Sequence, residues 1–530
     1  MSETKKELQP ESDNRDHEVV VVDDNGTVVN ASGWKDELDR QYGLLSLCGI
    51  ALTVDNAVII IFFFIRDVLT VMNLVNGGPP GLIFGLIVAI AYYTLVGLNL
   101  AEVTTTLIHS FASAIPSAGG VYHWATVTGG PRWGRTLGFF AGWINFFGWI
   151  FDLASLVQIT ANCVVQMYAT YHPDFVQGAW ETYITYVLVL WLCTAIVIFA
   201  NRLLPYMQYL GMLFIIVGGV VTIIVLAAMP KTHASSHFVW NSFGENNLTG
   251  WSGGVSFLCG VLNGAFTIGT PDAITHMAEE LPHPRRDLPK AIGLQLGLDA
   301  FCFAIALCYS ITDLNALLSG VNSFPIATIY EQATNSSGAT FGLLFIVFGS
   351  SLLCSTSTVL TNSRIYWALA RDNAVPFSSV FGKVNERLSC PIWATLLCVI
   401  LATGIGAIPL GSSTAFIDLT GSFIILTSIS YAIPIAANMA TGRNYLPKGS
   451  FNLGRSAIFV NGAAVVLIVF FDIFYCFPYS IPTTTAAMNY NSVILVGVVV
   501  LTGIWWVLYG LRNYAGPRLT HLYLALVATW

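Results

Sequence analysis

Asp272, His276 and Glu280 follow one another at four-residue intervals, with Glu279 beside the last, so a helix through them stacks two carboxylates and an imidazole on one face. Two chemistries suit that arrangement: a proton or gating relay, or a stabilising polar network at a helix end. Just upstream runs Asn263-Gly264-Ala265-Phe266-Thr267-Ile268-Gly269-Thr270-Pro271-Asp272-Ala273. Its glycines loosen the backbone, and Thr followed by Pro at a first helical position restarts a helix with Asp272 in its first turn. A helix that restarts inside an apolar stretch is discontinuous, the alternative being a Pro kink packed against neighbouring helices. Its freed amides must line a cavity rather than face lipid, and their partial positive charge suits an anionic group of a solute.

A second polar break is expected at Gly49-Ile50-Ala51-Leu52-Thr53-Val54-Asp55-Asn56. Asp55 lies roughly 18 Å into an apolar run if that run is helical. It is open to three roles: capping the next half-helix, binding a solute ammonium, or carrying a proton. Asp152 follows Phe139, Phe140, Trp143, Phe146, Phe147, Trp149 and Phe151, a run that either cages an amine by cation–π attraction or simply packs. The ten cysteines form no CxxC pair and read as small apolar packing residues. No HExxH, GxSxG or P-loop pattern is present, so neither metal nor other cofactor is expected, and the commonest routes to hydrolysis and ATP use drop out. Coupling is left to an ion gradient.

These groups must be positioned by membrane helices. The chain of 530 residues is 55% hydrophobic and 10% charged, against about 25% charged in an ordinary soluble domain. Runs of about 20 apolar residues fall at 43–65, 81–101, 136–167, 181–200, 205–229, 253–281, 290–311, 339–369, 392–409, 412–440, 456–477 and 490–511. Twelve spans, numbered here in that order, place both termini on one side. With that side inside, the inner segments hold twenty Lys and Arg and the outer ones only Arg66 and Lys231, so cytoplasmic termini are expected. Residues 1–41 read as a disordered acidic tail, with eleven acidic and five basic side chains before residue 41. No basic stripe remains for nucleic acid. Acceptor sequons at Asn247 and Asn335 fall in predicted outer loops, though Asn25 and Asn30 match in the tail as well.

Spans one to five (42–229) and six to ten (253–440) repeat at an offset of about 210 residues. Five being odd, the second unit enters from the opposite face. An all-α polytopic membrane protein of twelve transmembrane helices is therefore expected, as a five-plus-five inverted repeat followed by two C-terminal helices (456–511) and a tail at 512–530.

Three segments resemble signatures of the amino acid, polyamine and organocation superfamily, in its fungal branch of choline, GABA and amino acid permeases. They are Pro116-Ser-Ala-Gly119-Gly120-Val-Tyr122-His-Trp124, Asp272 to Ile292, and Arg364-Ile-Tyr-Trp-Ala-Leu-Ala-Arg371-Asp372-Asn373-Ala-Val-Pro376. The resemblance implies a leucine-transporter-type fold, gradient-driven uptake, usually with protons, and solute contacts at the two breaks. Carried over to this chain, those contacts are Gly49, Ala51, Thr53 and Asp55 on one side, and Gly264, Phe266 and Gly269 on the other. The stretches Val58–Asp67 and Val103–Phe111 depart from the family pattern.

The reading is a plasma-membrane transporter, a glycoprotein and proton symporter, of a small amine-bearing solute. Asp152 joins the solute contacts, while Asp272, His276, Glu279 and Glu280 serve coupling or gating. A specialised alkaloid-like amine is the alternative cargo; a transporter-like nutrient sensor is the rival of another class, and an enzyme ranks below it. The partners expected are the solute, protons and the bilayer.

Overall fold

The computed structural model describes residues 21–22, 28–29, 37–54, 76–101, 115–297, 301–318, 324–445, 456–485 and 488–517. Among these, nine helices are long and apolar enough to cross a membrane: Gly78–Leu100, Gly130–Ala169, Ala179–Phe199, Asn201–Ala228, Gly253–Glu280, Ser337–Arg371, Ile392–Leu410, Thr414–Ala440 and Asn491–Asn513. They coincide with predicted spans two to six, eight to ten and twelve. Span one is described as Leu44–Val54, span seven as Pro284–Gly297 and Phe301–Ser310, and span eleven as Ser456–Phe474. Apart from a ladder pairing Val21 with Val29 and Val22 with Val28 in the tail, the named elements are helical. The protein is a multi-pass membrane protein.

The apolar outer surfaces of these helices belong in lipid; spans five and twelve expose Leu213, Ile224, Val496 and Leu508, among others. Span three is central. At 40 residues it runs about 60 Å, twice a bilayer's hydrocarbon thickness, and it packs on spans eight, nine, ten and twelve. Gly134, Gly138 and Gly142 recur along it at helical spacing. A β-carbon there would come within 2.0 Å of the Thr126 carbonyl oxygen, 1.9 Å of Thr126 Oγ1 and 2.8 Å of Leu369 Cδ2 respectively. Small residues thus let the short helix Val121–Thr128 lie flat against span three, which places Tyr122 and His123.

The tail joins the folded body earlier than its composition predicts. Leu38 and Tyr42 are buried, and the Tyr42 amide donates to the Glu280 carbonyl at 3.2 Å. An apolar residue and a tyrosine in an otherwise polar stretch are enough to anchor it. Cys48, Cys163, Cys193, Cys259, Cys308, Cys354, Cys390, Cys398 and Cys476 are free thiols.

Candidate functional site

Span six is interrupted where Gly and Pro predict. Gly253–Ile268 is α-helical, Gly269 to Asp272 form the break, and Ala273–Glu280 continues as 3₁₀-helix. The tighter continuation differs from the α-helix expected, and it makes Asp272 the N-terminal flanking residue rather than a first-turn one. The i, i+4 contact survives nonetheless, with His276 Nε2 at 3.3 Å from Asp272 Oδ2.

Asp272 is fully buried and densely bonded. Asn145 Nδ2 (2.9 Å) and Trp149 Nε1 (3.2 Å), both from span three, donate to its Oδ2, and Tyr431 of span ten donates to Oδ1 at 2.5 Å. Buried carboxylates survive only when paired and hydrogen-bonded, and here four donor groups converge on one. His276 Nδ1 sits 2.8 Å from the Ala118 carbonyl oxygen. A carbonyl can only accept, so Nδ1 carries a proton, and Nε2 and Asp272 Oδ2 share another between them. Trp149 and Phe266 both pack on Phe423, at 6.0 and 5.5 Å between ring centroids.

One helical turn further, the acidic pair predicted at the end of span six meets two arginines of span eight. Arg371 grips Glu279 with two bonds of 2.7 and 2.9 Å, and Arg364 Nε donates to Glu280 Oε1 at 2.7 Å; all four residues are buried. Arg371 also lies over the Trp367 ring at 4.6 Å. Gln41 of the tail adds a bond of 3.2 Å to Glu280 Oε2. Beside them a second imidazole–carboxylate pair forms, His123 Nε2 to Asp372 Oδ2 at 2.8 Å, with the Tyr122 hydroxyl on the same oxygen at 2.6 Å and Ser117 Oγ on His123 Nδ1. Asp372 lies just past span eight. Burial pushes its carboxyl up, but the hydrogen bond and charge of His123, then Arg371 and Tyr122, bring it below the usual carboxylate range. The three signature segments read separately in the sequence thus meet at one place.

The remaining expected solute contacts divide. Gly264 packs on span two, where a β-carbon would come within 2.8 Å of Ala89 Cβ. Gly269 abuts the Tyr93 hydroxyl, and its carbonyl accepts from Tyr431 at 3.3 Å. Gly49, Ala51 and Thr53 are buried, but Gly49 lies against the Gln208 backbone, and Thr53 Oγ1 bonds Gln208 Oε1 at 3.0 Å. Gly49 and Thr53 therefore face span five, while Gly264 faces span two. Asp152 is buried on span three. Asp55 and both stretches that depart from the family pattern lie outside the described residues. The long aromatic run mostly packs: Phe139 on Trp506 at 4.9 Å and Phe146 on Tyr366 at 5.2 Å, leaving Trp149 as the member that reaches a carboxylate. Asn247 is partly buried, its Nδ2 bonded to the Trp251 carbonyl at 2.9 Å, whereas Asn335 is exposed at a helix end. Among the described residues no cluster of His, Cys, Asp and Glu suits a metal ion.

Asn145, Tyr431 and His123 were not singled out as site residues from the sequence. Asn145 and Tyr431 carried no signal beyond polarity inside an apolar segment, whereas His123 stood within the signature at 116–124 without a role assigned to it.

A multi-pass helical body with an interrupted helix and a buried carboxylate beside the interruption has the form of a permease. The sequence model described as amino acid permease matches residues 42–500, and the chain belongs to that family, within the amino acid, polyamine and organocation superfamily. It is 32% identical to a choline transporter of Saccharomyces cerevisiae, covering 93% of this chain and 85% of the relative. It is 28% identical to amino-acid permease BAT1 of Arabidopsis thaliana, over 95% of this chain and 98% of that protein. A transmembrane transporter of Metarhizium robertsii, swnT, is 27% identical over 90% and 93%. Membership of a permease family points to a transporter rather than an enzyme.

Proposed function

We propose that the chain is a secondary active transporter that takes up a small amine-bearing solute, an amino acid, GABA or a choline-like compound, together with protons. In this reading twelve spans form a five-plus-five inverted repeat in the plasma membrane, both termini are cytoplasmic, and the repeats rock about a midplane site. Gly269 at the break, with Gly264 and Phe266 on the helix before it, contacts the solute, with Asp152 and Asp55 as candidate partners for its ammonium and Gly49, Ala51 and Thr53 framing the span-one side. Asp272 and His276 carry the proton. The Glu279–Arg371 and Glu280–Arg364 pairs hold the inner end shut and part when the site opens inward.

The observation that carries this reading is the interruption of span six at Gly269–Asp272, with a buried carboxylate whose proton-sharing imidazole is four residues away. The names of the relatives, a choline transporter and an amino-acid permease, support the amine class. Uptake of labelled choline, GABA, amino acids, polyamines and an alkaloid-type amine in a transport-deficient host tests it. One of these solutes accumulates, and a protonophore abolishes the accumulation. Failure of the whole panel removes the transport reading, and accumulation that ignores the protonophore removes the proton.

A further inference from the structure

A second buried carboxyl, Asp472 of span eleven, has surroundings opposite to those of Asp272. The residue is 7% exposed, and among the described residues the hydrogen bonds of its carboxyl are to one group: Ser428 Oγ of span ten, 2.9 Å from Oδ1 and 3.0 Å from Oδ2. Ser428 Oγ also lies 3.0 Å from the Ile425 carbonyl oxygen. A hydroxyl has one proton to give. If Asp472 is ionised, Ser428 must turn that proton away from the carbonyl, and a single neutral donor faces a whole negative charge at membrane depth. If Asp472 carries a proton, it donates to Ser428 Oγ and Ser428 donates to the Ile425 carbonyl, so both protons find an acceptor and no buried charge remains. The two buried carboxyls thus differ in their donors, four converging on Asp272 and a lone hydroxyl on Asp472.

The two are also linked. Ser428, which holds Asp472, and Tyr431, which holds Asp272, are three residues apart on span ten and so share a face. Further buried hydroxyls stand nearby: Tyr475 and Tyr92 at 3.1 Å from one another, and Tyr93, whose ring is 4.5 Å from that of Tyr92 and whose hydroxyl abuts Gly269 at the break. The titratable groups facing Asp472 are Tyr92 of span two and Tyr475 and Cys476 of its own span.

We propose that Asp472 is a second proton-binding site, a neutral carboxyl that exchanges its proton with the Asp272–His276 pair during the transport cycle. The inference rests on the proton-coupled reading above and adds the carboxyl that supplies the pair. The step is a proton transfer alone: the Asp472 O–H bond breaks as an O–H or N–H bond forms on the pair, and no electron pair leaves either site.

The full-length protein reconstituted in liposomes carries the test. Infrared spectra at neutral pH should show a protonated-carboxyl carbonyl band that vanishes in Asp472→Asn and persists in Asp418→Asn. Asp472→Asn keeps the shape and the donor of the protonated acid. It should keep solute exchange, measured with labelled choline or whichever amine the uptake panel yields, within about twofold of wild type. It should lose the roughly tenfold accumulation that each pH unit of gradient can sustain. An unchanged infrared band in Asp472→Asn overturns the proposal, as does wild-type accumulation by that variant. If wild type itself ignores the gradient, the coupling reading has failed, and that failure shows in the unmutated protein while the infrared band still decides whether Asp472 binds a proton.

Discussion

The Tyr431 hydroxyl donates to Asp272 Oδ1 at 2.5 Å, joining span ten to the break in span six across 159 residues of sequence. It is the shortest of the bonds that hold this carboxylate, and it also reaches the Gly269 carbonyl, so one side chain braces both sides of the interruption. Tyr431→Phe keeps the ring and removes the donor. A hydrogen bond to a charged group contributes about 1.5–3 kcal/mol, so a loss of uptake of about tenfold or more per copy at the surface is expected. Uptake normalised to surface abundance is the measurement.

Arg371 and Glu279 form a two-bond pair with almost no exposed surface. Removing one partner strands a buried charge at a cost of about 3–5 kcal/mol. Arg371→Ala should therefore lower the thermal midpoint of the detergent-solubilised protein markedly, and Arg371→Lys should not restore it, because an ammonium cannot make the paired bonds. Glu279→Ala combined with Arg371→Ala should be less damaging than the sum of the two single changes.

His276 faces acceptors through both ring nitrogens. His276→Gln keeps a donor toward one of them but cannot carry a proton. We expect exchange of the solute to persist and the dependence of uptake on external pH to flatten; a pH profile that follows wild type would dissociate His276 from coupling.

Gly120 has φ of 51°, and a β-carbon there would come within 2.8 Å of Thr275 Oγ1 and 3.1 Å of the His276 ring. Gly120→Ala is strained in its backbone and crowds the imidazole at once. A loss of more than about 1 kcal/mol is expected, read as a fall in melting temperature, together with impaired uptake.

Asp372 gives a pH prediction with a definite sign. Its folded value lies below the unfolded one, so its contribution to stability is complete above the unfolded value of about 3.9 and is lost as pH falls through the folded value. Asp372→Asn should remove that part of the acid sensitivity, seen in melting temperatures measured from neutral to acid pH.

Much of this architecture was legible because the signals are local. A run of apolar residues is a span wherever it sits in the chain, and nine spans appear where hydropathy puts them. The interruption at Gly269–Asp272 was equally readable, since Gly and Pro act on their own backbone. The aromatic run of span three was ambiguous for the opposite reason: its members point all round the helix, so nothing in their order tells Trp149, which reaches Asp272, from Phe139, which packs on span twelve.

The sequence by itself determined that this is a membrane protein, where most of its helices run, which one breaks, and that His276 follows Asp272 by four residues just past the break. Only the tertiary structure decided that Asn145, Trp149 and Tyr431 converge on Asp272, that Glu279 and Glu280 find Arg371 and Arg364, and that Gly49 faces span five. The physical reason is rotational. Buried membrane helices are apolar nearly all round, so hydrophobic periodicity no longer reports which face turns inward. Partners are chosen by close packing and by the need of each buried polar group for a donor on another helix.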